Sequence, residues 1–551
     1  MKIVKQFIFS AAIFLASCAS VVAPTGGPKD TEPPVVKTSS LEESRLFFDK
    51  NKISITFNEF FTLNNPLENI LFSPPLKTEP DIQVRGKSLI IKFKETLDSN
   101  TTYNILFSDA IKDYTEGNTL PSLSYVFSTG AVLDSLSFCG EVLNAYTLQP
   151  ETNVFVMLYN RFEDSLPKTT RPFYITKTDS KGAFCFSHLK DGRYKIFALQ
   201  DKNSNLIFDL PEESIAFEET LIDPYYLQTD STAIDSMKQL LHDRFLTLKM
   251  FTEEDTIQSF IKRTNPQKGM YSLIFRRAVK TLQVNTLHGN LPEYFQFENA
   301  GKDTIIWFFK SPLTDTVELE LITDNRLTDT IELKPFTEPK RGRGYKETSY
   351  LSLKLLPGLY GFEPLILQSS FPLRPVDSIP YTLLEIIGRD TVEQHFSLTV
   401  PDSLVQQIVL NPNLKERTDY VILFKDSLFK DYNDLTNDSL QIAFTSKSTR
   451  DFGNLVLRTA GVPQTPIIVQ LLLNQKVMVE KLLAPDESTL TFDWLQPGEY
   501  SLQWIEDLNE NGVWDTGNYD LKRFPEPVHL WHKKLTIRAG WDLEEEVEFF
   551  Q

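Results

Sequence analysis

Polar and apolar residues alternate with a period of two along most of this chain. Ile53, Ile55 and Phe57 alternate with polar neighbours, as do Leu89, Ile91 and Phe93, and then Tyr103, Ile105 and Phe107. The pattern recurs at Val317, Leu319 and Leu321 and at Leu351, Leu353 and Leu355. A period of two places every second side chain on one face of a strand, so each segment buries one face of a sheet and wets the other. The segments are short and are separated by Asn, Asp, Gly and Pro turns, which predicts an all-β chain of tandem β-sandwiches. One stretch departs from the pattern. Ile234, Met237, Leu240 and Leu241 share one face of a helix over 232–244, expected to be a short connector between modules.

Two internal repeats organise the strands. TTYNILFSDAIKDYTEGNTLPSLSYVFST, residues 101–129, pairs with TDYVILFKDSLFKDYNDLTNDSLQIAFTS, residues 418–446. Tyr103, Phe107, Asp109 and Phe127 match Tyr420, Phe424, Asp426 and Phe444, each 317 positions on. GRYKIFALQDKNSNLIFD, residues 192–209, pairs with GEYSLQWIEDLNENGVWD, residues 498–515, at an offset of 306. The expected order is one module at 38–131, a second kind at 132–220, and a helical connector with a β-rich middle region at 221–345. The two kinds then repeat at 346–450 and 451–551.

The N-terminus reads as an address. Lys2 and Lys5 precede a short apolar run from Phe7 to Leu15, too short to span a bilayer. The run ends in Leu15-Ala16-Ser17-Cys18, which resembles the bacterial lipobox. There the signal, here 1–17, is removed and the Cys thiol carries a diacylglycerol, so Cys18 is the expected lipidation site. Ala19 in place of Asp favours, by the same resemblance, transfer to the outer membrane. Both the periplasmic and the surface-facing leaflet fit these residues. Residues 18–37 form a tether with Pro24, Pro28, Pro33, Pro34, Gly26 and Gly27; proline forbids helix and keeps such a spacer extended.

Composition narrows the partners. Of 551 residues, 74 are Asp or Glu and 56 are Lys or Arg, for a formal net charge of -18. That balance argues against nucleic acid and against electrostatic docking on anionic lipid. The 41% of hydrophobic residues is enough to build cores, which excludes a wholly disordered chain.

The modules also resemble known families. Residues 38–131, with ISITFNEFF, SPPL at 73–76, NTTYNILFSDAIKD and VFSTG, look like the bacterial Ig-like domain of the SbsA type. Residues 132–220, with GEV, DSKGAFCF and LKDGRY, are similar to transthyretin-like or carboxypeptidase-regulatory-like sandwiches. PTGGPKDTEPP near the start and NGVWDTGNYD with IRAGWDLE near the end resemble a family of Bacteroidetes outer-membrane lipoproteins carrying this Ig-like domain. The resemblance implies a β-sandwich envelope protein without an assigned activity, an implication by analogy, since such folds do not dictate function.

Two acidic loops are the sharpest chemical signal. Asp201, Asn203, Asn205, Asp209 and Glu212 occupy positions 1, 3, 5, 9 and 12 of one; Asp507, Asn509, Asn511 and Asp515 repeat positions 1, 3, 5 and 9 in the other. Alternate oxygens of a tight loop can hold calcium, a hard cation that takes six to eight of them. Leu206 stands where such loops carry Gly, and Asn518 where they carry a bidentate Glu. The other reading is a turn whose Asx side chains bond their own backbone. Cys139 in FCGEV and Cys185 in GAFCF have the parity opposite to their flanking Phe residues, so both point away from one core face. They are expected either to form a disulfide, which an exported compartment permits, or to remain two half-buried thiols.

Enzyme signatures are missing: the sequence has no HExxH, GxSxG, Walker loop or dinucleotide fingerprint. The six His residues are scattered, with His529 and His532 flanking Trp531. Lys340, Arg341, Arg343 and Lys346 form a basic run, read as a solvated loop before an anion site. The expected function is therefore non-enzymatic: a lipid-anchored rod of sandwiches in the cell envelope, in a structural or binding role toward an envelope protein or glycan. The alternative is an accessory hydrolase or glycan-binding protein acting on an envelope or extracellular polymer.

Overall fold

The computed structural model describes residues 30–549 apart from 42–44, 121–122, 227–244, 256–257, 325, 338–350, 359–362, 401–405 and 462. The signal, Cys18, the helix expected over 232–244 and the basic run at 340–346 lie outside the described residues. The regular secondary structure of the described chain is almost entirely strand, arranged in tandem β-sandwiches. It divides into two units, Met1–Thr252 and Glu253–Gln551.

In the first unit, alternation becomes an Ig-like sandwich. One sheet runs Val36–Ser39, Lys52–Phe57, Ser88–Lys92, Asp81–Arg85; the facing sheet runs Leu71–Ser73, Thr102–Leu106, Ser124–Ser128. Ile53, Ile55, Leu89, Ile91 and Ile105 are fully buried between them. Each such side chain contributes about 1.5–3 kcal/mol on burial. Tyr103 sits directly opposite Phe127, with the rings stacked 5.5 Å apart. The Tyr103 hydroxyl accepts the Asp98 N–H at 3.0 Å, closing the turn that enters the strand. The Ser73–Pro74 bond of the SPPL motif is cis.

The second module wraps seven strands round one core, in the order Tyr174–Lys177, Phe155–Tyr159, Lys195–Gln200, Ser214–Phe217, Leu246–Thr252, Leu136–Asn144, Ala183–Leu189. Leu246–Thr252 runs parallel to Leu136–Asn144, with Gly140 beside Leu246. A Cβ on Gly140 would lie 2.4 Å from the Leu246 carbonyl oxygen and 2.7 Å from the Phe184 ring, so only glycine admits this strand. The module therefore reaches Thr252, beyond the boundary expected at 220. Polar contacts join it to the Ig-like sandwich: Ile175 N–H donates to Ser73 Oγ at 3.1 Å and Asp134 N–H to Thr102 Oγ1 at 3.0 Å.

The second unit begins with a sandwich inside the β-rich middle region expected at 221–345. Phe260–Gln267, Met270–Phe275, Thr304–Phe309 and Tyr294–Glu298 form one sheet, and Leu282–His288, Val317–Thr323 and Arg326–Leu333 the other. In chain order this is the ABED and CFG arrangement of an Ig constant-type domain, and the first sandwich shares it. Trp307 is fully buried in its core and donates to Gln296 Oε1 at 3.1 Å. The region 221–345 is thus split, its end forming a module of its own.

The next sandwich pairs Leu353–Leu355, Leu365–Ser369 and Gln407–Leu410 on one side. The other side holds Asp390–Val400, Val376–Ile387, Asp419–Phe424 and Leu440–Thr445. Its fourth strand, Asp390–Val400, has changed sheets through a tight hairpin in which Gly388 takes a φ of 63°. Around the other repeated strand the detail is the same as in the first module. Tyr420 faces Phe444, the rings stack at 5.6 Å, and the Tyr420 hydroxyl accepts the Lys415 N–H at 2.9 Å. Ser446 and Thr129, also 317 positions apart, each donate a hydroxyl to the carbonyl of the residue that begins this turn, Lys415 and Asp98.

The last module repeats the second. Thr489–Leu495, Gly453–Thr459 and Asp542–Val547 form one sheet, and Lys476–Leu483, Ile467–Leu473, Gly498–Glu506 and Val528–Leu530 the other, with Leu535–Ile537 also on Gly498–Glu506. Here too the final strand runs parallel to the first. A Cβ on Gly453 would lie 2.5 Å from the Arg538 carbonyl oxygen.

The tyrosine pair provides a test. Tyr103→Phe and Tyr420→Phe each keep the stacked ring and strand one N–H, so each is expected to cost about 1–2 kcal/mol in denaturant unfolding. Because they share no partner, the double variant should lose the sum of the two. A loss under about 0.5 kcal/mol for both would show that the hydroxyls do not hold these turns.

Candidate functional site

The two acidic loops connect equivalent strands, Lys195–Gln200 to Ser214–Phe217 and Gly498–Glu506 to Val528–Leu530. In the first, the Asp201 carboxylate accepts the backbone N–H of Asn203, Ser204 and Leu206 at 2.7–3.1 Å. In the second, Asp507 accepts those of Asn511 and Gly512 at 3.0 and 2.8 Å. Leu206 takes a φ of 61° where Gly512 takes 77°, so both loops make the same left-handed turn although one lacks glycine. Asn203 and Asn205 donate side-chain N–H to Asp209 at 3.0 and 2.8 Å. Asn509 and Asn511 donate to Asp515, both at 2.6 Å.

Sequence reasoning missed the residue that closes each loop. Glu213, fully buried, accepts the N–H groups of Lys202, Asp209 and Leu210 at 3.0–3.1 Å. Glu526, also buried, accepts those of Leu508 and Asp515 at 2.8 and 3.0 Å. Lys202 and Leu508 hold the same loop position, as do Asp209 and Asp515, so the two glutamates do one job. Their separation of 313 differs from the loop offset of 306, which hid the match. The available signal was an acid just ahead of the next apolar strand, in ESIAF and EPVHL. Burial pushes the Glu526 carboxyl above its ordinary value, against the backbone donors of Asp515 and Leu508.

These residues do not fit a closed calcium cage. Glu212, expected at position 12, is exposed while its neighbour Glu213 turns in to backbone. Asn518 instead exchanges backbone hydrogen bonds with Arg523. Within each loop both Asn amides turn their N–H toward the position-9 carboxylate, whereas a cation needs their oxygens. Chemically the arrangement neutralises backbone donors in a tight turn.

Cys139 and Cys185 are directly paired across Leu136–Asn144 and Ala183–Leu189, Cα atoms 4.1 Å apart, and form a disulfide. Phe138, Phe184 and Phe186 beside them enter the core.

Among the described residues the histidines do not assemble a catalytic group. His529 Nε2 lies 2.7 Å from Glu506 and the ring stacks on Trp504 at 5.1 Å. Among the described residues it bonds to no hydroxyl or thiol, so no nucleophile meets this base. A cleft beside it is lined by Thr459, Gln464, Thr465, Glu506, Glu548 and Phe549. A smaller cleft of about 120 Å³ follows the seam of the first two modules, between Leu67, Ile70 and Phe72 and Phe155, Arg171 and Ile175.

Three tests follow from this geometry. Glu213→Ala is expected to cost about 2–3 kcal/mol, since a buried acceptor of three N–H groups is lost, while Glu212→Ala stays within about 0.5 kcal/mol. The melting temperature of the parent should be the same in calcium and in chelator; a rise in calcium, erased by Asp201→Ala with Asp507→Ala, would place the ion in these loops. Cys185→Ser, or reductant on the parent, should cost up to about 4 kcal/mol, because the bridge closes a loop with a sequence separation of 46. No change on reduction would leave the bridge without a stabilising role.

Residues 30–129 match the bacterial Ig-like domain. Comparison with curated proteins finds no match. Among solved structures, the FN1-FN3 domains of chicken CNTN1 align at 10% identity and a TM-score of 0.14, covering 51% of this chain and 98% of that one. Escherichia coli alpha-2-macroglobulin, domains MG0-NIE-MG1, aligns at 13% identity and a TM-score of 0.18, covering 46% and 95%. The S-layer protein SbsC aligns at 13% identity and a TM-score of 0.13, covering 94% of this chain and 54% of that one. Scores this low carry no argument about fold or function. The comparisons therefore establish one thing: residues 30–129 are a bacterial Ig-like domain, set in a longer chain of β-sandwiches.

Proposed function

We propose that this chain is a non-enzymatic, lipid-anchored protein of the cell envelope, a series of β-sandwiches with a structural or binding role at the outer membrane. The observation that carries the reading is the use made of the polar residues that looked most like a site. Asp201, Glu213, Asp507 and Glu526 all accept backbone N–H groups, which supports reading the repeated acidic constellation as scaffold. The lipobox at Cys18, the proline-rich tether and the resemblance to Bacteroidetes lipoproteins support the location. An envelope protein or glycan is the partner this reading implies.

The anchor is tested in cells fed labelled fatty acid. The parent should incorporate label and Cys18→Ala should not; equal labelling of the two would refute the lipobox. The non-enzymatic reading is tested by screening the purified chain for hydrolysis of envelope glycans and peptides, with and without divalent metal. Turnover abolished by Glu506→Gln would establish the hydrolase alternative. Crosslinking in whole cells identifies the partner.

A further inference from the structure

One end of the bacterial Ig-like domain carries exposed apolar residues where the tether arrives. Val35, Phe60 and Tyr114 are 56%, 58% and 72% exposed. They come from three segments tied into one surface. Val35 N–H donates to Asn58 Oδ1 at 2.7 Å, Asn58 N–H returns to the Val35 carbonyl at 2.9 Å, and Tyr114 N–H donates to the Phe60 carbonyl at 3.1 Å. Asn118 Nδ2 donates to the carbonyls of Asp30 and Glu32, holding the incoming chain on this same end. These residues flank the strands Val36–Ser39, Phe61–Leu63 and Ile111–Asp113 and take no part in the core.

The chain outside the described residues says what this end faces. Eleven residues separate Cys18 from Asp30. Even fully extended they reach only about 40 Å. A chain lipidated at Cys18 thus holds this end of the domain nearest the bilayer. Tyrosine and phenylalanine, with an apolar ring and for Tyr a polar tip, favour the headgroup boundary. Lys87 adds an amphipathic side chain, its Nζ 5.3 Å from the centre of the Phe60 ring and 2.8 Å from the Asn58 carbonyl.

We propose that this surface is a membrane contact, seating Phe60 and Tyr114 among the headgroups of zwitterionic phospholipid; the proposal rests on the lipid-anchor reading. The charge around it selects the lipid. Asp30, Glu32, Glu59 and Glu116 border the patch. Such a rim is repelled by anionic headgroups, within a Debye length of about 10 Å at 0.1 M salt. The contact therefore fixes the tilt of the first domain on the bilayer, which a tether alone leaves open.

The test uses the full lipidated chain in vesicles of brominated phosphatidylcholine. Phe60→Trp reports from the patch, and Phe162→Trp, at a 49% exposed position of the second module, is the control. Equal melting temperatures of both variants and the parent show that each is folded. The added fluorescence at position 60 should be quenched roughly twofold or more and that at 162 left unchanged. Replacing part of the lipid with phosphatidylglycerol at low salt should weaken the quenching, and added salt should restore it. Fatty-acid labelling is read on the same samples. Labelled protein with no quenching at position 60, or equal quenching at 60 and 162, overturns the membrane contact and leaves the anchor standing. Absence of label overturns the anchor reading, and the contact falls with it.

Discussion

Strand register is the constraint on which the rest of this structure depends. In a sheet with one buried face, a slip of one residue turns every side chain over. Between Thr102–Leu106 and Ser124–Ser128 such a slip would turn Tyr103 and Ile105 out of the core, onto the side where Thr102 and Asn104 are buried, and part Tyr103 from Phe127. The tyrosine hydroxyl then could not reach the Asp98 N–H. Core, stacked pair and turn are one cooperative choice, which explains why Tyr420, Phe444 and Lys415 preserve all three together.

Backbone donors in the turns form the second demand. A buried N–H without a partner costs about as much as a lost hydrogen bond, and a carboxylate can accept several at once. Asp113 shows the limit of this device. Burial alone would raise its carboxyl; four N–H groups, from Thr115 to Asn118, outweigh that and hold it below the usual carboxylate range. The acidic loops apply the same solution twice, with Glu213 and Glu526 as closing acceptors. An acidic chain built this way spends part of its excess of carboxylates on holding itself together.

Duplication explains less of the architecture than the repeats suggest. The matched segments cover the strands around Tyr103 and Tyr420, yet the fourth main strand lies in different sheets in the two modules, Asp81–Arg85 and Asp390–Val400. Gly388 permits the long hairpin that moves it. The intervening sandwich, with Trp307 at its centre, packs its outer aromatic face onto the later one, with Phe295 5.1 Å from Tyr432 and Phe308 5.5 Å from Phe371. That face and the hairpin are features of tertiary packing, with no counterpart in the first unit to announce them.

The sequence by itself determined the strands, their inward faces and the repeated turns, because period-two burial and Asx turns act over a few residues. It determined the parity of Cys139 and Cys185, and the positions of Asp201 and Asp507. Only the tertiary structure decided that Leu246–Thr252 belongs beside Gly140, a hundred residues away in sequence, because parallel pairing depends on contacts between distant backbones. Only it placed Glu213 rather than Glu212 inside the loop. Adjacent residues on a chain have nearly equal local preferences, and which one faces inward is set by the strand that follows and the core beneath it.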